Sequence, residues 1–297
     1  MDALIWEGDR PALRSPVLVA AFAGWNDAAA AATTALEAAA ADLGSEVVAR
    51  IDPEEFFDFQ VNRPSIRLSE GQARQVDWPR NTLVAARLPG AERDLLLLNG
   101  TEPNLRWRTF AASILDACQE LGVGMTVTLG ALIADVAHSL PVPITGLASD
   151  QKLVESLGLS RSNYEGPTGI VGILHDQCRE RGIASASIWA AVPHYVAAVP
   201  NPKAALALLR RLEGLTGIAV EASELEDAMD RFDRQVDRAV QANPEIEELV
   251  RRLENEQEEK FGAGGDVPSG DAIAQEFQRF LRQRGEEPEG GPTGRPI

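Results

Sequence analysis

The sequence contains little cysteine, histidine or positive charge. Its 297 residues include two cysteines, three histidines and 28 lysines and arginines, against 45 aspartates and glutamates. Cys118 and Cys178 lie far apart in segments with helical patterns, so we predict no disulfide framework and no zinc knuckle. The histidines and cysteines also lack the spacing of metal ligands, and we therefore predict neither a metal site nor a cofactor.

The shortage of basic residues also limits the kinds of partner. The net charge is −17, whereas binding to nucleic acid or to an anionic membrane surface needs clustered cations. The longest apolar stretch, residues 17–41, is interrupted by polar side chains and is too polar to span a bilayer. The first residues are acidic rather than basic, unlike a signal peptide. We expect a soluble cytoplasmic protein that binds neither nucleic acid nor membrane.

The acidic residues are concentrated in the last quarter of the chain. Residues 221–297 hold 20 acidic and 10 basic residues, which is −10 of the total charge of −17. This change in composition predicts three parts. Residues 1–220 form a core domain with a hairpin insertion near 63–80, and residues 221–261 form a helical extension. Residues 262–297 form a flexible linker, a short amphipathic helix and a disordered tail.

Short apolar runs alternate with helical patterns over the first 220 residues. Strands are predicted at 17–22, 95–99, 125–129, 144–148 and 184–192, and glycine-containing loops and helices follow several of them. Gly130 is predicted to end its strand and to lead into a helical turn at 131–138. Asn201 followed by Pro202 is a strong signal for the start of a helix. The alternation predicts an α/β fold in three α/β/α layers with a mostly parallel sheet.

Residues 52–90 interrupt this alternation. The segments 65–68 and 72–78, joined around residues 70–71, have the pattern of a β-hairpin. The pattern does not identify what the hairpin packs against, and it is compatible with a sheet edge or with an oligomer contact.

The helical extension has its own apolar stripe. Five apolar residues are spaced 4, 3, 4 and 4 apart, as expected for one face of a helix: Leu225, Met229, Phe232, Val236 and Val240. Asn243 followed by Pro244 predicts the start of a second helix. Beyond the linker, Asp271 is a candidate cap for a short helix that bears Phe277 and Phe280. Docking of this helix on the body, docking on a partner and a loose segment all stay open.

Polar residues and glycines gather after the predicted strands, where ligands bind in open α/β sheets. They form a candidate rim for a ligand or a subunit interface: Gly24, Trp25, Asn26, Asp27, Asn99, Gly100, Glu102, Thr168, His194 and Tyr195. Gly130 and Asp135 follow a third strand. The same residues also fit purely structural roles, since Asn26, Asp27 and Thr101 are ordinary helix caps and the glycines permit tight turns.

Two of these residues also fit chemical roles. Glu102 is predicted at the start of a helix, where the helix dipole stabilises a carboxylate that also suits a hydroxylated or cationic ligand. His194 stands at a strand end, where a general base works, but it equally fits a hydrogen-bonded structural role. The sequence has no nucleophile elbow, no phosphate-binding P-loop and no dinucleotide-binding glycine motif. We therefore assign no catalytic residue.

Four short motifs, taken together, resemble the proteasome assembly chaperone (PAC-type) family in its actinobacterial branch. In chain order they are Ala23-Gly-Trp-Asn-Asp-Ala28, Asn99-Gly-Thr-Glu-Pro103 with Trp107, Gly166-Pro-Thr-Gly169 and Val192-Pro-His-Tyr195. The resemblance covers about residues 1–255. It implies a fold similar to the purine nucleoside phosphorylase and peptidyl hydrolase class, and a homo-oligomer, with a trimer as the expected form.

The resemblance also implies protein partners. Eukaryotic and archaeal members of the family guide proteasome α-subunits into rings, and some insert a C-terminal tail containing tyrosine into proteasome pockets. The segment Gly294-Arg-Pro-Ile297 lacks that tyrosine, so tail insertion is not expected. Because fold and site are separate, the phosphorylase-like fold does not imply phosphorylase activity.

Three hypotheses about function follow. The first, which we favour, is a non-catalytic assembly chaperone or scaffolding protein that binds proteasome subunits or another protein. The second is a binding protein or enzyme for a nucleoside-like small molecule, with its site formed by Asn26, Asp27, Glu102, Thr168 and His194. The third is that these residues only cap helices and seal an oligomer interface.

Overall fold

One mixed β-sheet of nine strands forms the centre of the molecule. The computed structural model describes residues 3–69, 73–148, 151–157, 160–161 and 165–262. The strands are β1 (Leu4–Trp6), β2 (Val17–Ala23), β3 (Glu46–Ile51), β4 (Ser65–Ser69), β5 (Ala73–Asp77), β6 (Asn81–Ala86), β7 (Leu95–Thr101), β8 (Met125–Ala134), β9 (Ile144–Ala148), β10 (Ser160–Arg161) and β11 (Ala184–Pro193). The order in the large sheet is β1-β3-β6-β7-β2-β8-β11-β9-β10, while β4 and β5 pair separately.

Helices cover both faces of this sheet. They are α1 (Ala31–Asp42), α2 (Trp107–Glu120), α3 (Gln151–Leu157), α4 (Ile170–Glu180), α5 (Pro202–Thr216), α6 (Ser223–Gln241) and α7 (Pro244–Gly262). The predicted three-layer α/β/α class and the helical C-terminal portion are confirmed. Within the described residues, no helix combines the length and the apolar character needed to cross a membrane.

The four central strands, β7, β2, β8 and β11, are parallel, as predicted. Antiparallel strands flank them, with β6, β3 and β1 on one side and β9 on the other. The sequence patterns did not indicate β1, β3 or β6. Strand β1 has only three residues and β3 carries Glu46 and Arg50, and the pairing of these strands depends on neighbours that are distant in sequence.

The run of leucines in β7 shows why this strand lies in the middle of the sheet. Leu95 and Leu97 face the core formed with α1 and α5, whereas Leu96 and Leu98 face the core formed with α2 and α4. All four are buried. A strand with apolar side chains on both faces must be covered on both faces, and this places helices on each side of the sheet.

The prediction for residues 125–138 was wrong beyond Gly130. Strand β8 continues through this glycine to Ala134 and pairs residue by residue with the whole of β11. Gly130 lies opposite Trp189, and a Cβ atom on Gly130 would lie 2.6 Å from the indole ring. This glycine therefore allows the close approach of an aromatic side chain within a strand, and it does not form a turn.

The helical extension packs on the body through the predicted apolar stripe. Phe232, Val236 and Val240 of α6 are buried in one cluster with Val250 of α7, and Tyr195 of the body packs against it. Leu225, at the start of the stripe, joins the core under α1 and α5. The division of the chain at residue 220 stays a prediction, and the predicted linker, short helix and tail fall almost entirely on residues 263–297, outside the described part.

We expect the variant Gly130→Ala to unfold more easily than the wild type, because its methyl group overlaps the Trp189 ring. Overpacking of this kind typically costs about 1–3 kcal/mol of unfolding free energy. Urea unfolding monitored by circular dichroism measures the change. Gly124→Ala is the matched control, since a Cβ there meets no atom within 4 Å. Equal stability of the two variants would contradict the proposed role of Gly130.

Candidate functional site

The carboxylate of Glu102 joins three segments at the ends of the central strands. Its Oε1 accepts hydrogen bonds from the backbone N–H of Ile170, at 2.8 Å, and from the side-chain amide of Asn26, at 3.1 Å. Its Oε2 accepts one from the backbone N–H of Trp25, at 3.3 Å. Glu102 therefore connects the loop after β2 and the end of β7 to the start of α4.

The prediction that Glu102 begins the next helix along the chain was wrong. Helix α2 begins only at Trp107, whereas the Glu102 carboxylate caps α4, 68 residues away in sequence. The physical reason lies in α4 itself. Its N-cap residue is Gly169, which has no side-chain oxygen, so the first N–H groups of the helix need an acceptor from elsewhere.

Two glycines make room for this carboxylate. A Cβ atom on Gly169 would lie 2.3 Å from the Asn26 amide nitrogen and 2.6 Å from Oε1 of Glu102. Gly24 adopts a φ of 138°, which side chains rarely allow, and its Cβ position lies 3.1 Å from the Glu102 Cβ. Both glycines are therefore needed for the close packing around Glu102.

Asp27 caps helix α1, as predicted. Its Oδ1 accepts hydrogen bonds from the backbone N–H groups of Ala32, at 2.7 Å, and Thr33, at 3.4 Å, and the Thr33 hydroxyl donates to Oδ2 at 2.5 Å. Burial raises the pKa of Asp27 above its ordinary value, although these hydrogen bonds favour the charged form. Between Asp27 and the helix, Ala29 and Ala30 adopt left-handed conformations with φ of 53° and 52°.

The last residues of β7, Asn99 to Thr101, contact side chains from other segments of the chain. The Asn99 amide donates to Glu37 at 3.0 Å. Gly100 lies against the buried Asn81, whose Oδ1 would be 1.7 Å from a Cβ at that position. Asn81 also exchanges hydrogen bonds with the backbone of Thr101. The predicted role of Thr101 as a helix cap was wrong, because Thr101 is the last residue of β7 and α2 begins only at Trp107. Asn81 is a residue that the motifs did not reveal.

His194 and Tyr195 belong to a second group of residues, after β8 and β11. The imidazole Nδ1 of His194 lies 3.0 Å from a carboxylate oxygen of Asp135. The hydroxyl of Tyr195 lies 2.8 Å from both the backbone N and the Nδ1 of His138. The Nε2 of His138 in turn lies 3.1 Å from Asp237 of α6.

The distances among Tyr195, His138 and Asp237 fit one hydrogen-bond pattern. The backbone N–H of His138 donates to the Tyr195 oxygen, so the Tyr195 hydroxyl can donate to Nδ1, and Nε2–H can donate to Asp237. Burial raises the pKa of Tyr195 to about 12, which keeps the hydroxyl protonated. Tyr195 thus links the body to the helical extension through His138 and Asp237.

Further contacts fasten the same loop to the extension. The backbone N–H of Ala137 donates to Gln257 of α7 at 3.1 Å, and Lys203 pairs with Asp233 of α6 at 3.2 Å. A cavity of about 10 Å³ lies among these residues, next to Phe232. It is about large enough for one water molecule. Neither Gln257 nor Lys203 had a signal in the sequence, because their partners are distant along the chain.

The predicted rim residues therefore lie in different groups. Gly24, Trp25, Asn26 and Glu102 meet around one carboxylate, whereas Tyr195 lies at the joint with the extension. Thr168 is exposed just before α4. Across the described residues, no three His, Cys, Asp or Glu side chains are grouped so that they could hold a metal ion. Their roles in ligand binding or in a subunit interface stay predictions.

The chain matches one family model and solved structures of related proteins. The PAC2 family model matches residues 21–240. A PAC2 family protein from Streptomyces avermitilis is 45% identical, with a TM-score of 0.74, and the match covers 79% of this chain and 99% of that one. A proteasome-assembly chaperone homologue from Mycobacterium tuberculosis is 42% identical, with a TM-score of 0.72 and the same coverage.

A more distant match shares the fold. PbaB, an archaeal proteasome activator from Pyrococcus furiosus, is 17% identical, and the match covers 80% of this chain and 99% of that one. Its TM-score of 0.66 shows a similar fold at this low identity. None of the curated proteins matches the chain.

We expect Glu102→Ala to destabilise the protein, because the variant leaves the Ile170 N–H and the Asn26 amide without their acceptor. An unsatisfied buried donor costs about 1–3 kcal/mol, whereas Glu102→Gln keeps one acceptor oxygen and should cost less. Urea unfolding measures both. Glu46→Ala, which removes an exposed carboxylate paired with Arg87, is the control and should change little. An equal effect of Glu46→Ala would contradict the capping role.

We expect Tyr195 to make stability depend on alkaline pH. Its pKa of about 12 in the folded chain lies above the ordinary value, so the folded state holds the proton more tightly than the unfolded state. The resulting stability is fully present below about pH 10 and is lost as the pH rises towards about 12. Urea midpoints at rising pH should therefore fall more steeply for the wild type than for Tyr195→Phe.

The alkaline-pH test of Tyr195 has a control variant and a second measurement at neutral pH. Tyr164→Phe changes the other of the two tyrosines and should keep the steep wild-type dependence. At neutral pH, Tyr195→Phe should lose about 1 kcal/mol, because the His138 N–H loses its acceptor. Equal slopes for the wild type and Tyr195→Phe would show that Tyr195 does not stabilise the joint.

Proposed function

Because the chain belongs to the PAC2 family, we propose that it is a non-catalytic assembly chaperone or scaffold that binds proteasome subunits or another protein partner. The Mycobacterium tuberculosis protein that is 42% identical is a proteasome-assembly chaperone homologue. The archaeal protein with the same fold is a proteasome activator. The proposal includes a cytoplasmic location and assembly into a homo-oligomer, with a trimer as the form that the family resemblance implies.

The observation that carries this proposal is the set of hydrogen bonds that the Glu102 carboxylate accepts. In open α/β sheets, ligands bind at the carboxyl ends of the strands, where Glu102 lies. Here both oxygens of Glu102 accept hydrogen bonds from this same chain, and Asp27 is likewise engaged by the start of α1. These contacts stiffen the edge of the sheet, which suits a rigid platform for a protein partner.

The helical extension offers a surface for such a partner. The apolar stripe of α6 faces the body, so charged side chains cover its outer face. Exposed carboxylates in its N-terminal half include Glu224, Asp227 and Asp230, whereas the exposed Arg234 and Arg238 lie in its C-terminal half. The acidic N-terminal half favours a partner with a basic surface and speeds their encounter at low salt. We therefore assign the partner contact to the N-terminal half of the outer face of α6.

Co-purification of the tagged full-length chain from cells of its source organism tests this proposal. We expect proteasome subunits, or one other defined protein, to be enriched over a control with the tag alone. The double variant Asp227→Asn and Asp230→Asn should reduce the yield of that partner several-fold. Neutralising two exposed carboxylates of the body, with Asp9→Asn and Glu92→Gln, is the matched control and should leave the yield unchanged.

A second candidate function would explain a co-purification experiment in which no partner protein is enriched. The Nδ1 of His194, at the end of β11, is buried and makes no hydrogen bond, although it lies 3.0 Å from Asp135, so this imidazole nitrogen is left for a ligand. This observation favours a site for a nucleoside-like molecule. A bound nucleoside at 100 times its Kd would add about 2.7 kcal/mol of stability, and His194→Ala should abolish this gain. Such a gain, with no co-purifying protein, would replace the chaperone proposal by this one.

A further inference from the structure

Strands β6, β3 and β1 lie side by side at one edge of the large sheet and expose apolar side chains. Helix α1 lies over the neighbouring strands β7, β2 and β8. Beyond β7 on the same side of the sheet, Val47 of β3 is 39% exposed and Ile5 of β1 is 50% exposed. Within the described part of the chain, no helix shields these two strands on the α1 side.

The register of the three strands places these side chains on one face. Val84 of β6 packs against the core under α1, so it points to the α1 side. Val47 lies directly opposite Val84 and shares that side. Two residues from Val84, Thr82 pairs with Arg50, and Arg50 pairs with Ile5. We refer to this group of five side chains as the open face.

The other side of the same strands is covered. Leu83 and Ala49 are buried there in the core formed with α2 and α4, and Trp6 packs against that core. In a three-layer fold both sides of the sheet carry helices, so the open face lacks part of its helical layer. The segment that fits it is an amphipathic helix lying beside α1 with its apolar side on Val47 and Ile5.

A sequence of this kind follows the described residues. In residues 271–284, four apolar side chains are spaced 4, 3 and 1 apart, on one face of a helix: Ile273, Phe277, Phe280 and Leu281. A helix of this segment would be about 21 Å long. Three strands are about 14 Å wide, so this helix would span the open face. The predicted stripe of α6 has the same character, and it does pack on the body.

The chain is long enough to bring this segment to the open face. Gln257 of α7 binds Ala137, just after the end of β8, and β8 lies four positions from β3 in the sheet order. Four strand spacings are about 19 Å. The eight residues 263–270, which connect α7 to the segment, reach up to about 27 Å when extended. A second copy of the open face is a poorer occupant, because two such faces would bring the Arg50 charges of both copies together.

We propose that residues 271–284 dock on the open face of their own chain, with Phe277 and Phe280 against Val47 and Ile5. The segment then completes the helical layer beside α1 and buries the apolar side chains of both partners. This docking depends neither on the chaperone role nor on self-assembly.

Disulfide trapping in the full-length chain tests the contact. We expect Val47→Cys combined with Phe277→Cys or with Phe280→Cys to form a disulfide within one chain in the presence of oxidised glutathione. The native cysteines are buried and burial raises the pKa of both thiols, so they should react slowly. Mass spectrometry of the digested protein identifies the linked peptides, and a non-reducing gel separates one chain of 31.9 kDa from a linked dimer.

Two control pairs isolate the proposed surfaces. Val47→Cys with Gln275→Cys uses the polar side of the segment, and Val199→Cys with Phe277→Cys uses an equally exposed apolar position elsewhere on the body. Both pairs should link at least ten-fold more slowly. Equal rates in the test and control pairs would overturn the contact. A linked dimer in place of a linked single chain would overturn docking within one chain.

Hydrogen exchange measures the docking without new cysteines. We expect the amides of residues 271–284 to exchange at least ten-fold faster in Val47→Asp than in the wild type, and Val199→Asp to leave them unchanged. Ile5→Ser gives the same test at a second position, and circular dichroism checks that each variant is folded. Wild-type amides that exchange as fast as those of Val47→Asp and Ile5→Ser would overturn the proposal.

Discussion

The burial of four parallel strands on both faces is the constraint on which the rest of the molecule depends. A strand such as β7, with leucines on both of its faces, is stable only between two layers of helices. Parallel neighbours also require long connections, and these supply the helices. The carboxyl ends of these strands meet at one edge of the sheet, so this edge receives the loops and the starts of the helices that follow.

At this edge, the first backbone N–H groups of several helices have no acceptor from a neighbouring side chain and need one from elsewhere in the chain. The residues immediately before α1, α2 and α4 make no side-chain capping hydrogen bond. Asp27 reaches the start of α1 across three alanines, two of them in a left-handed conformation, and Glu102 reaches the start of α4 from the end of another strand. The polar residues that accumulate here are thus used within the chain, which is why their presence alone does not indicate a ligand.

Features that depend on neighbouring residues could be predicted from the sequence. The leucine run of β7, the alternation of strand and helix, and the start of α5 at Pro202 with its Asn201 cap all have local signals, and the structure confirms them. Features that depend on distant residues could not. Gly130 continues a strand because β11 and Trp189 lie beside it, and Glu102 caps a helix whose cap position is occupied by glycine. In both cases the residue serves a contact with a segment distant in sequence, which the local pattern does not contain.

The two faces of α6 differ in the forces that they use. Charged side chains cover its outer face, so a contact there depends on electrostatic attraction and weakens as salt screens it. Its inner face buries Phe232, Val236 and Val240, so burial of apolar area holds the extension on the body even where charge is screened. The extension would therefore stay in place under conditions that release a partner from α6. Such a difference suits an assembly factor, which has to keep its own architecture while it binds and releases another protein.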